Sequence, residues 1–468
     1  ADLDPSLGDR WYDLTTAHDA LLTIELAGEG ASSAAAELYD ADGNLVAPMA
    51  DGPSWGADYD VAAGTKFFLK LSGTAADVDL RLTNLVRVDG SAITVLGTDK
   101  DDTFEFAVVN SYLVRINGTE YHFADVAGVA ETVSFDGGLG DDWATFTGGP
   151  ADESAIFFTG HGQFFSGIDV FDQTGYSVDA VAENLVAYNG GGAATAKLYD
   201  SPGDDVFTST PTLSTLVGPG YSHAVHGFPS ALGYATNRGG EDRSGGNDRA
   251  IMHDSEGKDK FKFDWANDTD FFGILYGTGY YNRVKNFESV TAESTGAADN
   301  ARIFGSNGND EFFMSKAVGR ATGAGYHVEY TGFDTVIAYA GKGYDIVRFE
   351  DSAGDDEIRG RAHKTMMYDR TSTYELTARA FDEVYAEAKN GGYDKAKLHG
   401  TAAKELLTAR EISGQTWAKM VIDDAVDDPL YEALAFEWVR AYTSDGDDKV
   451  DRTEEFDWLI LDPGWTDI

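Results

Sequence analysis

The residues best equipped for chemistry in this chain are aspartates, and they recur in a box. It reads "YDSPGDDVF" at 199–207, "HDSEGKDKF" at 253–261, "FGSNGNDEF" at 304–312 and "EDSAGDDEI" at 350–358. Related stretches lie upstream, "LGTDKDDTFEF" at 96–106 and "GGLGDDWATF" at 137–146. Glycine lets the backbone turn so that carbonyls converge, and aspartate adds hard oxygen ligands. That chemistry suits a divalent cation, calcium first. The same residues also suit plain turn capping, in which each aspartate bonds its own backbone. Candidate metal ligands are Asp102, Asp142, Asp205, Asp248, Asp259, Asp299, Asp310, Asp345 and Asp356. Several form sequence pairs eleven residues apart: Asp248 and Asp259, Asp299 and Asp310, Asp345 and Asp356. Asp142 and Glu153, and Asp394 and Glu405, have the same separation.

Catalysis fits this pattern less well. A catalytic group is usually unique in a chain, whereas these boxes are repeated. The alternatives are a β-helix polysaccharide lyase or hydrolase with a basic residue as proton acceptor, for which Arg361 and Lys364 are the candidates, and a carbohydrate-binding accessory module. His223 and His226 are three apart, so on a strand they face opposite sides and do not share one metal. The chain contains no P-loop, no G-x-S-x-G and no H-E-x-x-H. The reading is therefore a non-enzyme.

The elements that must position the boxes are short and repeated. An anchor of the form F-x-x-V-x-A recurs as Phe287-Val290-Ala292, Phe333-Val336-Ala338, Phe381-Val384-Ala386 and Phe436-Val439-Ala441. With weaker copies it defines about seven degenerate units of about 50 residues from residue 88 onward. Alternating stretches such as "DTVIAYA" and "YDIVRFED" between Gly-Asp turns predict strands. The fold class expected is all-β, with a parallel β-helix or solenoid over 88–457 and a cap or docking tail over 458–468. A β-propeller is the competing arrangement. The segment 374–391 has helix-like spacing, but its anchor register assigns it to strand.

Before residue 88 the pattern changes. "LYDADGNLVA" at 38–47 reads as a hairpin turning at Asp42-Gly43, and 59–73 reads as a second. The pieces "DRWYDLTT", "ELYDADGNLVA" and "AAGTKFFLKLSG" resemble the bacterial pre-peptidase C-terminal domain. That resemblance implies a jelly-roll-like β-sandwich over 1–87 and a secreted, accessory role. The boxes resemble the haemolysin-type calcium-binding repeat, G-G-x-G-x-D-x-U-x. They depart from it by occurring about once per 50 residues rather than in tandem, and only "GGLGDDWAT" keeps the double glycine. The combination is similar to segments of large bacterial cell-surface proteins. It implies a structural or adhesive protein, secreted or at the cell surface, able to self-assemble into a filament or to meet extracellular polysaccharide.

Composition narrows the partners. The 468 residues carry 80 acidic and 35 basic side chains, a formal net charge of −45. Such a surface repels nucleic acid and anionic membranes. Cysteine is absent, which removes disulfides and thiolate chemistry. No apolar run is long enough for a transmembrane helix. The first residue is Ala1, so a mature form or a piece of a longer chain is expected.

Overall fold

The computed structural model describes every residue except 1, 4, 28–30, 49–54, 75–77, 110, 124–130, 168–174, 237–244, 362, 423–428 and 444–446. The chain is all-β. Among the described residues the only helical turns are two short 3-10 turns, Pro5–Leu7 and Ala31–Ser33. There are two compact parts, Ala1–Ala196 with Gly220–Gly227, and Lys197–Pro219 with Phe228–Ile468.

The first part begins with two antiparallel sheets. Arg10–Thr15, Lys66–Gly73, Ala34–Asp40 and Leu45–Pro48 form one. Trp55–Val61, Ala20–Ala27 and Val78–Asp89 form the other. Leu22, Ile24 and Leu26 of the second meet Leu38, Leu69 and Leu71 of the first in a common core. The hairpin read at 38–47 is present. Gly43 takes φ 83°, and Asp40 accepts the amides of Asp42 and Asn44. Strand Val78–Asp89 runs past residue 87 and turns back at Gly90 to pair with Ala92–Leu96.

From there, strands alternate between two sheets. In the first part, Ala92–Leu96, Glu131–Asp136 and Tyr176–Val181 pair in parallel. Thr103–Val108, Trp143–Thr147, Asn184–Tyr188 and Tyr221–His226 do so in the other sheet. In the second part, Arg249–His253, Ser289–Glu293 and Tyr326–Thr331 run parallel. So do Asn300–Phe304, Thr335–Tyr339 and Glu375–Arg379 in the sheet opposite. Along each strand alternate side chains point inward, and most of those positions are apolar. Phe263 stacks on Tyr326 across the two sheets, with ring centroids 5.4 Å apart, and Phe261 meets Phe333 at 6.1 Å. Each such buried aromatic contributes roughly 2–3 kcal/mol of apolar burial.

The sheets are mixed rather than purely parallel. Three-stranded antiparallel meanders interrupt the parallel runs, at 260–285, 311–331, 356–379 and 405–434 in the second part. Successive meanders lie in alternate sheets. Gly-x-Gly-Tyr elements supply the second turn of the first two of these meanders. Gly279 and Gly325, at φ 83° and 78°, make the tight turns that return the chain before Tyr280 and Tyr326.

The anchors mark the strand that follows each meander. Val290 and Ala292, Val336 and Ala338, Val384 and Ala386, and Val439 and Ala441 all point inward. The ambiguous segment 374–391 is strand, Glu375–Arg379 then Glu383–Glu387. Pairing with a strand on each side, parallel on both for Glu383–Glu387 and parallel on one and antiparallel on the other for Glu375–Arg379, outweighs its helical spacing. In Tyr221–His226, His223 is buried and His226 faces outward, as the strand period requires. The last strands, Leu459–Leu461 and Thr466–Asp467, each add to a sheet in parallel. Among the described residues no helix is long and apolar enough to cross a membrane.

Candidate metal centres

Each box folds as one small turn, and serine is the residue that builds it. In 350–358 the amide and hydroxyl of Ser352 both donate to Asp356, at 2.7 and 2.8 Å. The Ser352 hydroxyl oxygen accepts the amide of Gly354 at 3.2 Å. Ser201, Ser255 and Ser306 repeat the pattern toward Asp205, Asp259 and Asp310. Thr98 does the same for Asp102, and Thr401 for Glu405. A tyrosine from the meander donates to the other carboxylate oxygen. Tyr280 reaches Asp259 at 2.9 Å, Tyr326 reaches Asp310 at 3.0 Å and Tyr374 reaches Asp356 at 2.6 Å. These carboxylates are thus caps, held inside by three donors each.

A second acid lies beside each cap. The amide of Asp102 donates to Asp142, Asp205 to Asp248, Asp259 to Asp299, Asp310 to Asp345 and Asp356 to Asp394, at 2.6–2.9 Å. The amide of Glu405 donates to Asp448 at 3.0 Å. All nine sequence candidates are buried, at 3% exposure or less. Eight of them meet in four pairs, and Asp356 meets Asp394. Partners are 35 to 43 residues apart in sequence. Acids eleven apart, such as Asp248 and Asp259, sit instead at opposite ends of a strand, here Arg249–His253. A third rung follows. The amides of Asp142, Asp248 and Asp394 donate to Glu183, Glu288 and Glu437, and those of Asp299 and Asp345 to Asp334 and Asp382.

In three turns a further aspartate completes a cluster. Asp200, Asp205 and Asp248 form one, Asp254, Asp259 and Asp299 another, and Asp351, Asp356 and Asp394 the third. In each, one oxygen per residue lies within 4.8 Å of the others, and all three residues are buried. Sequence reasoning left Asp200, Asp254, Asp351 and Asp394 out of the ligand set. The signal was present, since an aspartate directly precedes the serine in exactly those three boxes, and glycine does so in "FGSNGNDEF".

Burial raises the carboxyls of Asp142, Asp248, Asp299, Asp345 and Asp394 in the second rung. Asp248 is pushed up to about 7, by desolvation first and then by the charges of Glu288 and Asp205. Asp394 also rises to about 7, by desolvation and then by Asp351 and Glu437. Asp345 reaches about 6, by desolvation with smaller contributions from Asp310 and Asp382. Three carboxylates converge in each cluster with oxygen donors only, which fits a hard cation and excludes a thiolate-type site. Asp254 also accepts the amide and hydroxyl of Thr295, and Asp351 accepts the amides of Lys389 and Asn390, so the clusters are oriented before any ion arrives.

Arg361 and Lys364 face each other across the turn of the hairpin Asp356–Arg361 and Lys364–Asp369, with Arg361 exposed. The turn places them at strand ends, away from the acid clusters' interior. No protein-family model matches the chain, and no curated protein matches it.

Proposed function

We propose that the chain is a secreted or cell-surface structural and adhesive protein whose acidic turns are rigidified by calcium. In this reading the alternating strands are the walls of a β-solenoid, and the boxes are its corners. The observation that carries it is the recurrence of one buried three-carboxylate cluster at equivalent turns. Burying three like charges together is costly unless a cation or protons neutralise them. Calcium prefers such carboxylate oxygens and completes its shell with carbonyls and water. The resemblance to haemolysin-type repeats and to the pre-peptidase C-terminal domain supports the same setting, as do the absence of cysteine and the net charge of −45. Self-assembly through the strands at the sheet ends belongs to the same reading.

The test is thermal unfolding in EGTA and in millimolar calcium. The reading expects a higher melting temperature with calcium, lost when Asp200, Asp254 and Asp351 are all replaced by asparagine. An unchanged melting temperature removes calcium from the account.

A further inference from the structure

In an acid-rich chain, one outward surface of the second part is basic. Arg283, Lys262 and Arg302 lie in one cross-strand row, because Arg283 and Lys262 both sit opposite Ile274 and Lys262 sits opposite Arg302. Lys260 lies two residues before Lys262, on the same face. Directly opposed like charges destabilise a sheet. Asp264 pairs with Lys262 at 2.5 Å. Among the described residues no acid lies within ion-pair distance of Lys260, Arg283 or Arg302. The opposite sheet shows the contrast. There Arg320 pairs with Glu329 at 2.8 Å and Arg348 with Glu311 at 3.0 Å.

The cationic heads are also held in place. Lys262 lies 5.7 Å from the Phe272 ring and 5.4 Å from that of Phe304. Arg283 lies 5.3 Å from Phe272, and Lys260 lies 5.9 Å from Tyr276. Between them is a groove of about 280 Å³, lined by Lys260, Lys262, Tyr276, Asn300, Arg302 and Thr335. Asn300, Thr335 and Tyr276 supply neutral hydrogen-bonding groups beside the charges. Further along the same outer face the cations are compensated: Arg359 and Lys397 share Glu357, and Arg440 pairs with Asp462, so the uncompensated charge is concentrated at the groove.

We infer that this face binds a linear acidic polysaccharide, with carboxylate or sulfate groups of successive sugars seated on Lys260, Lys262, Arg283 and Arg302. Charge complementarity picks out a polyanion. The hydroxyl and amide groups in the groove suit sugar hydroxyls. Nucleic acid is the poorer occupant, because a duplex extends past the groove over a chain of net charge −45. The inference gives the adhesive half of the proposed function a ligand, yet it rests on this face alone and stands even if the turns hold no calcium.

The experiment is calorimetric titration of the whole chain with polygalacturonate and dextran sulfate at low salt, in EGTA and again in calcium. Neutral dextran and duplex DNA are the comparisons. Binding of an acidic glycan in EGTA is expected, weakening as salt is added. Lys260→Glu with Arg302→Glu is expected to weaken it about tenfold or more. Arg249→Glu with Arg348→Glu makes the same charge change on the opposite sheet and is expected to leave it nearly unchanged. If charge reversal disturbs folding, Lys260→Gln with Arg302→Gln carries the same comparison. No acidic-glycan binding overturns the inference. So does equal loss in both double variants, DNA binding as tight as glycan binding, or self-association of the chain through this face without glycan binding. Binding that appears only in calcium assigns the glycan to the turns and overturns it as well. Loss of calcium stabilisation with glycan binding intact fails the proposed calcium role alone.

Discussion

The turns around Asp356 and Asp310 belong to the same compact part and share one hydrogen-bonding plan, yet only one of them has a carboxylate before its serine. Both have a serine donating twice to the capping aspartate, a glycine amide on the serine oxygen, a tyrosine hydroxyl on the second carboxylate oxygen and a second acid below. The first has Asp351 before its serine, and the second has Gly305. The serine and glycine bonds are of similar length in both, and the tyrosine bond is 2.6 Å at Asp356 and 3.0 Å at Asp310. The serine turn therefore closes without the extra aspartate; Asp351 accepts the amides of Lys389 and Asn390 and brings a third carboxylate beside Asp356 and Asp394. Both second acids are raised, by burial first; the charges of Asp351 and Glu437 add to this at Asp394, and those of Asp310 and Asp382 at Asp345. Three buried carboxylates held together in this way suit a cation.

The largest effect expected is one that the two turns share. Asp356→Ala and Asp310→Ala each leave a serine amide, a serine hydroxyl and a tyrosine hydroxyl without their acceptor. Each should cost about 3 kcal/mol in urea unfolding, within error of one another. A cost confined to Asp356 would mean that the turns differ in architecture, not only in charge.

The next effect separates them. Calcium at a hundredfold excess over its dissociation constant should add about 2.7 kcal/mol per occupied site. Asp351→Asn should remove one site's share, whereas Asp345→Asn should leave calcium stabilisation unaltered. Differential scanning calorimetry at several calcium concentrations reads both.

A third prediction concerns pH in EGTA. The folded carboxyls of Asp248, Asp394 and Asp345 lie above their unfolded values, at about 7, 7 and 6. Raised acids favour the protonated fold. Their contribution is complete below about pH 4 and is lost as pH rises through 6 to 7. From these groups the metal-free chain should melt higher at pH 5 than at pH 8, and calcium should narrow the difference. Melting that rises steadily from pH 5 to pH 8 in EGTA would contradict the assignment of these acids.

The smallest effect is a conversion. In Gly305→Asp a Cβ would meet the Asp310 carboxylate at 2.8 Å and the Gly341 amide at 3.2 Å, so the turn must shift. A loss of about 1 kcal/mol in EGTA is expected, with part of it recovered in calcium. No recovery would show that a third aspartate alone does not make a site.

Much of this was legible in the sequence. The boxes, the anchors and the repeat length read directly, because inward Val and Ala and turn Gly and Asp must recur wherever a strand and a corner recur. The strand assignment at 374–391 came from the register with other units, not from its own spacing. Partners in space were not legible. Eleven residues from Asp248 to Asp259 spans one strand, but the contact from Asp205 to Asp248 crosses 43. That number depends on the meanders, whose hairpins local pattern marks without saying which sheet each one joins. The basic face was missed for the same reason. Arg283, Lys262 and Arg302 are scattered in sequence and become neighbours only through strand pairing.

The central claim is that the three-aspartate turns hold calcium and the Gly305 turn does not. Crystals grown in calcium chloride, with an anomalous difference map, test it most directly. The account predicts peaks among Asp200, Asp205 and Asp248, among Asp254, Asp259 and Asp299, and among Asp351, Asp356 and Asp394, with none between Asp310 and Asp345. Empty three-aspartate turns, or an equal peak at Asp310 and Asp345, would contradict it.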